Sequence, residues 1–243
     1  MSGARVDLHC HLLWGIDDGP RNEEETLEMA RLLVRHGFGE VAVSPHADPR
    51  FPSSDTALCR RRLEEARALL EAHGIPLVLH ANAENLLDAE LPGKLEKEPR
   101  RIGQSRYVLA EAPYLNRVAR LPEIVVRLQV AGHRLVVAHP ERCREFEKIE
   151  RAREIVRAGA HLQLDLGSIV GRHGRSAKKL ARVFLEEGLY ALAATDLHSP
   201  KDGAWLGEAI AELEDRAGKE GAERLLVHHP RAILRDGSLP LDR

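Results

Sequence analysis

The feature that most constrains this chain is a recurrence of short apolar runs that each end in histidine, aspartate or glutamate. The first is Asp7-Leu8-His9-Cys10-His11, with the acidic pair Asp17-Asp18 just behind it. Ser44-Pro45-His46, Ala83-Glu84, Ala138-His139-Pro140-Glu141-Arg142 and Thr195-Asp196-Leu197-His198 repeat it, and Glu111 closes one more run. One such ending is unremarkable, since a histidine at a strand end is more often structural than functional. Several in register are a pattern.

The stretches between these endings have helical periodicity. After Asn22, Leu27, Ala30, Leu33 and Val34 recur at helical spacing, with Glu25 placed as in a capping box and Gly37 as the stop. Further helices are predicted over 56–73, 121–131, 146–158, 176–187 and 204–217. Strands are predicted over 40–44, 76–81, 106–110, 135–138, 161–166 and 190–194, besides the first motif. The segment 86–103 reads as irregular, because Pro92, Gly93, Pro99 and Gly103 punctuate it. Residues 225–234 read as a short tail element.

A strand–helix unit repeated about seven times predicts an α/β fold on a parallel sheet, and so many units favour closure into a barrel. No linker, repeat or low-complexity segment divides the chain, so residues 1–243 are expected to form a single domain. His9, His46, Glu84, Glu111, His139 and Asp196 all fall at or just past strand C-termini, where barrel enzymes build their sites.

Composition excludes several classes of function. The 243 residues are 43% hydrophobic and 30% charged, as in a globular protein with a sizeable core. A net charge of -2 offers no basic surface for nucleic acid or acidic membranes. No run of about 18 apolar residues predicts a membrane span, and the start of the chain lacks a signal-peptide pattern. The three cysteines, Cys10, Cys59 and Cys143, share no metal-type spacing and fit reduced thiols, so a cytoplasmic protein is expected.

Imidazoles mixed with carboxylates suit zinc, manganese or iron better than magnesium or calcium. Nine candidates (His9, His11, Asp18, His46, Glu84, Glu111, His139, Asp196 and His198) are too many for one ion and fit two or three, with Glu84 as a possible bridge. Such a site polarises a phosphoryl oxygen and activates water. Arg142, three residues after His139, has the planar fork that matches phosphate. Cysteine chemistry is the rival for phosphoester hydrolysis. It needs an arginine six residues after the nucleophile, and Ile16, Glu65 and Ile149 stand there instead.

Taken in order, the motifs at 7–11, Asp17-Asp18-Gly19-Pro20, Ser44-Pro45-His46, 138–142 and Thr195-Asp196-Leu197-His198-Ser199 resemble the polymerase-and-histidinol-phosphatase (PHP) superfamily. Within it the chain most resembles the manganese-dependent protein-tyrosine phosphatases of bacterial capsule and exopolysaccharide operons. The resemblance runs from about residue 6 to about residue 234 and includes Gly167-Ser168 and Gly171. It implies a distorted (β/α)7 TIM-like barrel, the PHP fold, with a trinuclear site.

By the same resemblance, His9, His11, Glu84 and Asp196 hold one ion, Glu84, Glu111 and His139 a second, and Asp18, His46 and His198 the third. Spacing favours Asp18 over Asp17. Manganese is the expected metal, with zinc or iron as alternatives, and Arg142 matches an arginine that contacts phosphate. The implied partner is a phosphotyrosine protein, a bacterial tyrosine kinase of polysaccharide export. A second family arginine, after the final motif, has no counterpart: Lys201 is nearby and Gly203 roughly aligned. The alternatives are a small-molecule phosphatase, such as one for histidinol phosphate, and a non-catalytic PHP module.

Overall fold

The computed structural model describes residues 3–239. Its strands are β1 (Arg5–Cys10), β2 (Phe38–Val43), β3 (Val78–Ala81), β4 (Asn85–Leu86), β5 (Tyr107–Glu111), β6 (Arg134–Ala138), β7 (His161–Asp165) and β8 (Tyr190–Ala194). The helices are α1 (Glu23–Arg35), α2 (Thr56–Ala72), α3 (Leu91–Lys97), α4 (Leu121–Val130), α5 (Ile149–Arg157), α6 (Leu166–Val170), α7 (Gly174–Glu186), α8 (Leu206–Glu223) and α9 (His229–Leu234). Every strand pair is parallel, in two sheets ordered β1-β2-β3 and β4-β5-β6-β7-β8.

Both seams between the sheets are closed by backbone contacts. Beyond the ends of β1 and β8, Cys10 bridges Leu197, the Asp196 N–H donates to the His9 carbonyl (2.8 Å), and the His11 N–H donates to the Leu197 carbonyl (2.9 Å). At the other seam His46 bridges Glu84. No helix separates β3 from β4. They are one strand position broken at Asn82–Glu84, whose first half pairs with β2 and whose second half pairs with β5. Seven strand positions follow, and the break accounts for the distortion of the barrel.

The sequence reading of 86–103 as irregular is corrected here. Asn85–Leu86 pairs with β5, and Leu91–Lys97 is helical. Pro92 lies in the helix's first turn, where its missing N–H costs nothing, and Leu91 and Leu95 bury one face. Residues 225–234 are no separate tail, because a π-helical turn, Arg224–His228, joins α8 to α9.

Apart from β3, where Val78 and Ala81 are exposed, the strands are largely buried on both faces, as parallel sheets are. Val108, Ala110, Leu135 and Val137 belong to the large core under the helices. Their neighbours Tyr107, Leu109, Val136 and Ala138 join Val6, Leu8, Ala42, Leu192 and Ile233 in a smaller cluster on the other face. Strand alternation forces this division, since successive side chains point to opposite faces. The strand C-termini are thereby left to carry polar groups toward one mouth. No helix among the described residues is long and apolar enough to cross a membrane.

Candidate metal centre

Each side chain at the mouth is delivered by a strand end. His9 and His11 lie two apart at the end of β1, so both turn to one side while Cys10, between them, packs in the large core. His139 follows β6 directly and Asp196 follows β8 after Thr195, and both hold left-handed backbone conformations, φ 31 and φ 51. Such conformations cost a non-glycine residue on the order of 1 kcal/mol and gather at functional sites. At Asp196 the bend is what lets its N–H meet the His9 carbonyl.

The nine sequence candidates converge. Four overlapping groups have their ligand atoms within 4.8 Å of one another: His11, Asp18, His46 and His198; His9, His11 and Asp196; His9, Glu84 and His139; and His46, Glu84 and Glu111. Glu84 lies at the middle. Its oxygens are 2.9 Å from His139 Nε2, 3.3 Å from His9 Nε2, 3.0 Å from His46 Nδ1 and 3.5 Å from His11 Nε2. Asp18 Oδ1 stands 3.4 Å from both His46 Nε2 and His198 Nε2. Two ligands of one transition metal ion, each bound at about 2.1 Å, stand roughly 3.0–3.5 Å apart, the spacing found here.

The donor set fits a divalent ion on a further observation. Asp196 Oδ1 is buried and accepts no hydrogen bond from the described residues, although His9 Nε2 and His11 Nε2 are 3.1 and 3.5 Å away. These two nitrogens are themselves 3.4 Å apart. A buried carboxylate oxygen facing two imidazole nitrogens without hydrogen-bond geometry calls for a cation between them.

Electrostatics point the same way. Burial opposes charge on His9, yet Glu84 and Asp196 outweigh it and hold its pKa up at about 9. On His46, burial is outweighed by Asp18 and Glu84, and its pKa rises to about 10. Burial followed by Glu84 pushes Glu111 up to about 7. Glu84 itself is held well below the carboxylate range against burial, by His9 first. The cluster demands positive charge, and without an ion protons supply it.

Three neighbours orient the rings. Gln163, fully buried on β7, places Oε1 2.9 Å from His9 Nδ1, while its own Nε2 donates to the Leu164 carbonyl (2.7 Å). An acceptor at Nδ1 fixes the tautomer and frees His9 Nε2. Asp17 does the same for His11 at 2.8 Å and also accepts from the Gly19 and His46 backbone. The two acidic neighbours thus divide their work: Asp17 turns to the far side of the His11 ring and Asp18 faces His46 and His198. The His198 Nδ1 lies 2.9 Å from the Asp196 carbonyl. Sequence reasoning missed Gln163. Its signal was a polar residue between Leu162 and Leu164 in a wholly buried strand.

Arg142 borders the cluster. Its Nη1 donates to Asp196 Oδ2 (2.5 Å) and Asp165 Oδ2 (3.1 Å), and its Nη2 to the Tyr114 hydroxyl (2.8 Å). The glutamates nearest in sequence are occupied elsewhere: Glu141 accepts from the Asp165 N–H and the Tyr190 hydroxyl, Glu145 from the Val118 N–H and Arg151. Lys201 is exposed. Gly203 packs so closely on α1 that a Cβ there would lie 1.7 Å from Leu32 Cδ2. An arginine at 203 would require Leu32 of α1 to move aside, which is the physical form of the departure seen in sequence.

Solved structures share this fold. A crystallographic study of YwqE from Bacillus subtilis and CpsB from Streptococcus pneumoniae, described as unique metal-dependent tyrosine phosphatases, provides one that superposes with a TM-score of 0.90, at 28% identity, over 97% of this chain and 96% of the other. The lactonase Lmo2620 from Listeria monocytogenes shares the fold alone, at a TM-score of 0.61 and 10% identity over 96% of this chain and 95% of the other. In sequence, the tyrosine-protein phosphatase YwqE of Bacillus subtilis is 28% identical over 96% of this chain and 93% of its own length. The tyrosine-protein phosphatase CpsB of Streptococcus pneumoniae is 26% identical over 95% and 98%. The profile of the capsular polysaccharide synthesis family CpsB/CapC matches residues 5–235, and the chain belongs to that family.

Proposed function

We propose that this chain is a metal-dependent protein-tyrosine phosphatase. The observation that carries the reading is Glu84, shared between two of four overlapping ligand groups, with Arg142 at their edge bonded to Asp196. His9, His11, Glu84 and Asp196 would hold one ion, Glu84, Glu111 and His139 a second, and Asp18, His46 and His198 a third. Bound there, divalent ions supply the positive charge that polarises a phosphoryl oxygen and makes water a nucleophile near neutral pH.

The chain's own residues do the rest. Arg142 grips and orients the phosphoryl group through its guanidinium. Gln163 and Asp17 keep the ring nitrogens of His9 and His11 aimed inward. The named activities of the full-length relatives support phosphotyrosine as the substrate group. Manganese is our choice of metal, and a tyrosine kinase of capsule synthesis in the cytoplasm our choice of partner.

The test is metal analysis of the purified protein, then turnover of a phosphotyrosine peptide and of histidinol phosphate before and after chelation. Phosphotyrosine turnover should vanish on chelation and return with added manganese. A protein that binds no divalent metal, or that hydrolyses phosphotyrosine equally well after chelation, overturns the reading. Preference for histidinol phosphate keeps the chemistry and replaces the substrate.

A further inference from the structure

We propose that His173 is a catalytic residue, the general acid that protonates the departing tyrosine oxygen. The inference rests on the phosphatase reading above and extends it to the leaving group.

His173 Nε2 lies 2.7 Å from Asp165 Oδ2, and a third of its side chain (33%) is open while Asp165 is fully buried. The same Asp165 oxygen accepts from Arg142 Nη1 at 3.1 Å. The local backbone produces this aim. Gly171 and Gly174 on either side of His173 both take left-handed conformations, φ 94 and φ 91, and turn the chain between α6 and α7 back toward the mouth. Asp165 is fixed in turn by accepting from the Gly167 N–H at 2.7 Å. His173 occupies the N-cap position of α7, yet its side chain caps nothing.

The placement suits in-line displacement, in which the attacking and leaving oxygens stand on opposite sides of phosphorus. Arg142 Nη1 is bonded both to Asp196, in the ligand cluster, and to Asp165, the partner of His173. A phosphoryl group held by Arg142 would then lie between the cluster, which supplies the nucleophile, and His173. His173 also lines the open groove beside Arg142, with Tyr114, Leu115, Ala177 and Leu180, where a tyrosyl ring would lie.

The two other candidate donors on that side suit the task less. The Tyr114 hydroxyl accepts from Arg142 Nη2, and a phenol is no stronger an acid than the tyrosine it would have to protonate. Cys143 is buried and directed at the Ala112 carbonyl. Imidazole is the side chain suited to giving a proton near neutrality. In the step, a water oxygen forms its bond to phosphorus and loses its proton to solvent. The phosphorus–aryl oxygen bond breaks, its electron pair stays on the aryl oxygen, and that oxygen takes the proton from His173 Nδ1. Solvent then returns a proton to the open imidazole.

The experiment compares two substrates on the metal-loaded protein: a phosphotyrosine peptide, whose phenol is weakly acidic, and 4-nitrophenyl phosphate, whose phenol is acidic enough to leave unaided. His173→Gln should slow the first by about a hundredfold, as loss of a general acid does, and the second by less than about threefold. Imidazole added to His173→Ala should restore phosphotyrosine turnover selectively. His173→Ala carries the same comparison if His173→Gln does not fold. A loss on phosphotyrosine less than about tenfold larger than the loss on 4-nitrophenyl phosphate overturns the inference. Wild-type protein inactive on both substrates overturns the phosphatase reading and this inference with it.

Discussion

Asp7 and Thr195, 188 positions apart, are joined by a 2.5 Å hydrogen bond from the Thr195 hydroxyl to the Asp7 carboxylate. Asp7 also accepts from the Thr195 N–H (3.2 Å) and the His9 N–H (3.1 Å). One fully buried carboxylate therefore ties the end of β1 to the end of β8, where His9 and Asp196 face each other. Asp7→Ala should strip an acceptor from three buried donors and cost about 2–4 kcal/mol, read as a lower denaturant midpoint. Asp7→Asn keeps one acceptor oxygen and should lose less. If Asp7→Ala unfolds like wild type, the tie contributes nothing and the seam is held by its backbone bonds alone.

Arg142 faces two carboxylates, Asp165 and Asp196. Replacing it leaves their charge uncompensated, which should favour cations in the cluster rather than expel them. Arg142→Ala should therefore keep near wild-type metal content while phosphotyrosine turnover falls at least about tenfold, since a lost charge-assisted hydrogen bond is worth roughly 1.5–3 kcal/mol. Metal analysis and kinetics on the same sample decide it. Unchanged turnover at normal metal content would return Arg142 to a purely structural ion pair.

What was legible in the sequence follows from how local each signal is. His9, His46, Glu84, His139 and Asp196 announced themselves because each breaks an apolar run at its end, a pattern contained in a few residues. Gln163 and Asp165 did not, because their roles depend on His9, Arg142 and His173, which other strands and turns bring to them. Spacing favoured Asp18 over Asp17, but the separate role of Asp17 showed only when the turn placed it behind the His11 ring, with Asp18 before His46 and His198. In the fold, the broken strand at Asn82–Glu84 escaped notice because its second half is two residues long. The helix α3 escaped because Pro92 and Gly93 read as breakers, although proline is harmless in a first turn.

His161 gives the fold a pH dependence of its own, at the opposite end of β7 from the site. It is 9% exposed, and burial, then Arg134 and His229, lowers its pKa to about 4 from the usual 6.5. The folded protein therefore resists protonating it, whereas the unfolded chain takes the proton readily. Its contribution is fully present above pH 6.5 and is lost as pH falls toward 4, about 3 kcal/mol across the window. His161→Phe should flatten the decline of thermal stability between those values, with the stability difference from wild type shifting in its favour as pH falls. Parallel wild-type and variant curves from pH 7 to pH 4 would show that His161 is not the titrating group.

The cysteines test the nucleophile. A thiolate mechanism needs an accessible sulfur of low pKa held in a ring of phosphate donors. Here all three thiols are free, and all are held protonated. Burial, and then Asp7, raises Cys10 well above its ordinary value. Burial pushes Cys59 up to about 11 and raises Cys143 further. Each sulfur is directed at a backbone carbonyl: Cys10 at Leu197 (3.7 Å), Cys59 at Ser53 (3.2 Å) and Cys143 at Ala112 (3.2 Å). A serine hydroxyl can donate to the same acceptors, so each site tolerates the exchange. Cys10→Ser, Cys59→Ser and Cys143→Ser should each keep phosphotyrosine turnover within about threefold of wild type, a barrier change under about 1 kcal/mol. Chelation should abolish turnover in all three as in wild type. Loss of activity in any one variant that still folds and binds metal would replace water with that sulfur as the attacking group.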